Sequence, residues 1–96
     1  MITMTIVLTK PENVEKFYTP SAEFANYRKI NFIDTNKILS HNWSIAGNQT
    51  TTVIVFDNES LMDEYYNDPM RIQHINLTEQ YNTINNISCN RDRVIS

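Results

Sequence analysis

Two histidines are the residues of this chain whose charge can change near neutral pH, and both stand among apolar neighbours. His41 alternates with Leu39, Trp43 and Ile45. His74 recurs with Met70, Leu77, Tyr81 and Ile84 at helical intervals, a stripe expected to face a sheet. An imidazole so placed can act as an acid or base, bond a bound molecule, or ligate a metal. Metal ligation lacks a second ligand at matching spacing, and Cys89 is the single cysteine. The plainer reading of His74 is a half-buried, hydrogen-bonded helix histidine. Tyr65 and Tyr66 are adjacent, so one of them points inward, and Tyr65 continues the face begun by Leu61. Trp43 reads first as a packing residue. His41, Trp43, Tyr65 and His74 are the candidate ligand-binding residues, and no catalytic residue is assigned.

Other charged clusters read as structure. Arg91-Asp92-Arg93 fits a solvated strand edge, with reception of a ligand carboxylate as the sharper alternative. Asp63-Glu64 and Asp68 fall at helix starts and exposed faces, where acids serve as caps. There is no Ser-His-Asp order, phosphate-cradling glycine loop or zinc spacing, so no metal and no cofactor is expected.

The elements that must position these residues follow from periodicity. Ile2 to Thr9 alternates strictly, Ile2, Met4, Ile6 and Leu8 on one face and Thr3, Thr5, Val7 and Thr9 on the other: a strand. Pro11 with Val14, Phe17 and Tyr18 predicts a short helix. Thr19-Pro20 then predicts a break, a fresh cap and a longer helix through Phe24, Tyr27, Ile30 and Ile33 to about Asp34–Asn36. Lys37 to Ala46 and Thr50 to Phe56 read as strands joined through Gly47-Asn48, a hairpin of about four turn residues. Which face of the first of these meets the helices is open from alternation alone. Asp57-Asn58-Glu59-Ser60 supplies helix caps, and Leu61, Met62, Tyr65 and Tyr66 form a short helical face. Asp68-Pro69 breaks it and starts a helix that Asn85-Asn86 ends, and Ile87 to Ile95 is a final strand.

At 96 residues the chain holds one domain, residues 1–96. Its apolar share of 41% and charged share of 20% are those of a folded globular protein rather than a disordered one. A net charge of −3, with scattered basic residues, argues against nucleic acid. The longest apolar run, Val53 to Phe56, is far too short to span a bilayer, which needs about 20 residues. The first residues lack the basic and long apolar regions of a signal peptide, so the expected location is cytoplasmic. Five Asn-x-Ser/Thr triplets then carry no meaning as glycosylation sites.

The chain order β-α-β-β-α-β makes this an α+β protein: a four-stranded antiparallel sheet with both helical crossovers on one face, the ferredoxin-like plan. The opposite face, Thr3, Thr5, Val7 and Thr9 on the first strand, is too greasy to stand bare and too polar for a dry core. Packing it on the same face of a second copy resolves this, so a homodimer is expected.

The segment Val53-Ile54-Val55-Phe56-Asp57-Asn58 through Tyr65-Tyr66-Asn67-Asp68-Pro69-Met70-Arg71-Ile72-Gln73-His74 resembles the dimeric α/β-barrel proteins. These include the antibiotic-biosynthesis monooxygenases and the related haem-degrading enzymes. The resemblance places Phe56 at the strand-end aromatic, Tyr65 at the helix aromatic and His74 at the helix histidine. Met4 stands where the haem-degrading members carry an asparagine, and the Pro-Gly before the second strand is replaced by Ile33-Asp34-Thr35-Asn36. The resemblance thus carries the fold and not a particular chemistry. Two functions are left in competition. One is a dimeric module holding a small apolar ligand between sheet and helices. The other is a cofactor-independent monooxygenase using His41, Tyr65 and His74. An RNA-recognition module of the same strand order fails on the acidic charge and on a third strand without the basic and aromatic signature.

Overall fold

β1 (Ile2–Thr9) is the central strand that the alternation predicts, and it binds two neighbours antiparallel. A computed structural model describes all 96 residues. β2 (Ser40–Ala46), β3 (Gln49–Phe56) and β4 (Ser88–Ile95) complete a sheet of order β2-β3-β1-β4. The hairpin is tighter than expected: Ala46 pairs with Gln49, leaving only Gly47 and Asn48 in the loop. Gly47 has φ +59°, the left-handed conformation that a II′ turn asks of its first residue, and glycine takes it without strain.

Register settles the faces. Ile2, Met4, Ile6 and Leu8 lie opposite Phe56, Ile54, Thr52 and Thr50, and His41, Trp43 and Ile45 lie opposite the last three in turn. All of these share one face with Cys89, Arg91, Arg93 and Ile95 of β4. The helices cover that face, so His41 and Trp43 belong to the helix side of the sheet.

A break between helices is present at Pro69 as expected, whereas no helix precedes Pro20. α2 (Glu59–Tyr66) stops before Asp68, whose carboxylate caps α3 (Pro69–Ile84) by accepting from Met70 N at 2.9 Å and Arg71 N at 3.3 Å. Pro69 takes the first helical position, where a missing N–H is harmless. Tyr27 donates to the same carboxylate at 2.7 Å and ties the first crossover to the second. The expected short helix between Pro11 and Thr19 does not form. Lys10 to Pro20 makes a turn at Glu12-Asn13, closed by Val14 N donating to Pro11 O, and otherwise has no regular structure; Lys10 Nζ fastens it by donating to Val14 O and Asn48 Oδ1. α1 (Ala22–Arg28) is capped by Ser21, not Thr19, its hydroxyl accepting from Phe24 N at 3.1 Å.

α1 runs on into a π-helical turn, Lys29–Ile33, closed by Asp34 N donating to Lys29 O at 2.8 Å. That extra residue per turn rotates the chain. Phe32 enters the core and Ile30, expected on the buried face, is left exposed.

The core fills half of the sheet. Ile2, Met4, Ile54 and Phe56 meet Phe24, Phe32, Ile38, Met62 and Tyr65 in one cluster. Over the other half, around Ile6, Leu8, Thr50 and Thr52, the helices stand off. α3 explains this. Of the stripe Met70, His74, Leu77, Tyr81 and Ile84, Met70 packs on the core and His74 faces the sheet side as expected, but Leu77 is 47% and Ile84 79% exposed, whereas Asn82 is buried. The inner face of α3 is turned by less than one residue, which is about 100° on a helical wheel, so Arg71, Ile75, Thr78 and Asn82 join His74 across from the sheet. Tyr81 meets the irregular segment before α1, donating to Lys16 O at 2.6 Å and lying 5.7 Å from Tyr18 between ring centroids. A helix face of Arg, Thr and Asn cannot close onto a sheet as a dry layer.

Candidate ligand-binding cavity

The uncovered half of the sheet forms the floor of a cavity of about 890 Å³, roofed by α3 and closed at one side by Phe17 to Pro20. Ile6, Leu8, Ile45 and Ile54 give it apolar walls, and His41, Trp43, Tyr65 and His74 all line it. The structure therefore brings the four candidate residues to one space. They differ in exposure: Tyr65 is 3% exposed and Trp43 59%, so tyrosine sits at the depth of the cavity and tryptophan at its mouth. A second hollow, about 480 Å³, lies along the outer surface of α3 between Asn76 and Ile84. It is bounded by one helix alone and converges no groups.

His74 is held by rings rather than by hydrogen bonds. Its imidazole stacks on Phe24 at 4.3 Å and 11°, with Tyr18 on another side at 6.0 Å. Burial, then repulsion from Arg28 and Arg71, pushes its pKa down to about 4. His41 is likewise pushed down to about 4, by burial first and Arg28 second. Both imidazoles are neutral at pH 7, each with one donor and one acceptor nitrogen. Tyr65 is fixed edge-on to Phe32 at 5.0 Å and tilted against Phe56 at 5.9 Å. Only one of the tyrosine pair lines the cavity, as the adjacency predicts. Tyr66 is half-buried beside it, and burial raises its pKa.

Sequence reasoning passed over three residues that the geometry singles out. Arg28, at the end of α1, lies over Phe24 at 5.4 Å, and Arg71, in the first turn of α3, lies over Tyr66 at 4.2 Å. Asn82 is 7% exposed. Arg28 Nε and Asn82 Oδ1 are buried without a hydrogen-bond partner in the protein. Arg71, Thr78 and Asn82 follow His74 and Ile75 at helical spacing, a signal that was present but polar. Arg93 behaves as the solvated edge residue expected, 3.4 Å from Glu59, whereas its neighbour Arg91 lines the cavity.

The arrangement can bind and orient. Apolar walls would hold a hydrophobic body, neutral imidazoles and Tyr65 can exchange hydrogen bonds with it, and the arginines can meet an oxyanion. No three His, Cys, Asp or Glu side chains converge as a metal ion would require. No helix is long and apolar enough to cross a membrane.

A crystal structure from Deinococcus radiodurans, provisionally described as an antibiotic biosynthesis monooxygenase, superposes on this chain with a TM-score of 0.59. The match covers 100% of this chain and 92% of the other, at 14% identity. The two share the ferredoxin-like fold. No protein-family model matches the chain, and no curated protein does. At that identity the likeness extends to strand order and helix placement, which is what the resemblance in Val53 to His74 implies.

Proposed function

We propose that the protein is a dimeric module that binds a small, largely apolar molecule between its sheet and its helices, with His41, Trp43, Tyr65 and His74 as contacts. The cavity carries this reading. A core that fills half a sheet face and leaves about 890 Å³ beside it has the size and mixed lining of a small-molecule site. The direct test is mass spectrometry of whatever co-purifies with the protein, followed by titration of that compound into the His74→Phe variant. Loss of one polar partner is expected to weaken binding about tenfold. Unchanged binding together with a gain in stability would make His74 a core residue and remove it from the site.

The second reading is a cofactor-independent monooxygenase, favoured by the description of the Deinococcus radiodurans neighbour. It would draw on His41, Tyr65 and His74 to orient an electron-rich aromatic. Dioxygen uptake when the co-purified compound is incubated aerobically with the protein separates the two readings.

The dimer rests on the sheet's other face. Thr3, Thr5, Val7 and Thr9 lie beside Val55, Val53, Thr51 and Gln49, and no helix of this chain covers them. A face of that area and character suits a pairing that buries about 2,000 Å² or more in total. Light scattering at micromolar concentration should return twice the chain mass. A stable particle of 11.3 kDa would refute the dimer and leave the cavity untouched.

A further inference from the structure

We infer that the molecule bound in this cavity is an anion: an apolar, flat body carrying a carboxylate or similar oxyanion, met by Arg28 and Arg71. This rests on the cavity being a small-molecule site and names the class of its ligand.

Charge distribution is the first observation. The chain as a whole carries −3, yet Lys10, Lys16, Arg28, Arg71 and Arg91 border the cavity against only Glu15 and Glu79. The field inside is therefore opposite in sign to that of the protein. Nothing in the chain neutralises the arginines. The three ion pairs, Lys29–Asp34, Lys37–Glu64 and Arg93–Glu59, all lie elsewhere. Glu79 acts on Arg71 only from a distance, without forming a bond.

Geometry is the second. Arg28 and Arg71 are each laid over aromatic rings, which orders the guanidinium while leaving its N–H edge free. Arg28 Nε is buried and has no acceptor. A buried charged donor without a partner is costly, and a carboxylate arriving in the cavity would satisfy it with a charge-assisted bond. The neighbouring imidazoles add no charge of their own at pH 7, so the arginines are the cationic contacts beside them. Asn82 Oδ1, also buried and unpartnered, needs a donor, so the ligand is expected to carry a hydroxyl or N–H as well. The flat shape follows from the aromatic walls at Phe17, Tyr18, Trp43 and Tyr65.

A matched pair of fluorescent probes tests this on the intact protein: anilinonaphthalene sulfonate and its uncharged parent, phenylnaphthylamine. The sulfonate is expected to bind at least about tenfold more tightly, the worth of one charge-assisted hydrogen bond. Arg28→Gln and Arg71→Gln should each lose most of that preference and keep their affinity for the neutral probe, which also shows that they fold. Lys29→Gln, whose side chain pairs with Asp34 outside the cavity, should keep the preference. Equal affinity for both probes, or a preference that survives in the Arg28→Gln/Arg71→Gln double variant, would overturn the anion inference and leave the small-molecule site standing. Binding of neither probe would overturn both.

Discussion

Truncating Phe56 to alanine is expected to cost about 3–5 kcal/mol, the largest loss from any single side chain in this protein. Phe56 is 0% exposed, lies across from Ile2 in the sheet and meets Tyr65 and Tyr66 at ring distances of 5.9 and 6.2 Å. A domain of this size has about 5–15 kcal/mol of stability in all, so the variant should lose about a third of that margin or more. The reason is architectural. Because the cavity takes the other half of the sheet face, the cluster around Phe56 supplies nearly all of the close packing between layers, and no second core stands in reserve. The same argument gives the ligand a role in stability, since any molecule that binds only the folded state adds to it by mass action. Urea denaturation of the variant measures the loss. A decrease below about 1 kcal/mol would mean that the layers collapse onto the gap and that the core is not confined to one end.

How much of this was legible in the sequence depends on which force decided each element. The first strand was readable because strict alternation leaves one solution, and the start of α3 because Asp68-Pro69 combines a cap with a fixed φ. The fold followed from chain order. The face of His41 and Trp43 was not readable, since alternation gives two faces without saying which one meets the helices. Pairing with Ile54 and Thr52 decides it.

Two elements misled for a shared reason: apolar residues were taken to mark the buried side. In the first crossover a π-helical turn exchanged Ile30 for Phe32, a shift that no fixed period can anticipate. In α3 Leu77 and Ile84 of the most apolar stripe face solvent, only Met70 and His74 of it face inward, and the line through Arg71, Thr78 and Asn82 looks across the sheet. Periodicity alone favours the greasiest line of a helix. A ligand cavity needs the reverse, a helix face polar enough not to close. His41, Trp43, Tyr65 and His74 stand out in the sequence because they are aromatic or titratable. Arg28 and Arg71 do not stand out because, in sequence, they look like any solvated charge, whereas Arg91 already reads there as a candidate carboxylate receptor.

Acid is expected to destabilise the protein through the two cavity histidines. Each has a folded-state pKa of about 4, held down first by burial and then by arginine repulsion, against 6.5 when unfolded. Between those values the unfolded chain binds more protons than the folded one, so unfolding takes up protons and stability must fall as pH falls. Stability from this source is complete above about pH 6.5, declines toward pH 4 and levels off below it. Near pH 5 the uptake approaches one proton per histidine. Urea midpoints measured from neutral pH into this window should fall with a slope set by both imidazoles. His74→Phe and His41→Gln should each remove about half of that slope, and the double variant nearly all of it. An anion bound to Arg28 and Arg71 lessens the repulsion on both rings, so a saturating ligand should raise the folded pKa values and flatten the profile. Single variants whose slope equals that of the unaltered protein would show that the imidazoles titrate as if in water. The burial of both rings in the cavity would then be excluded.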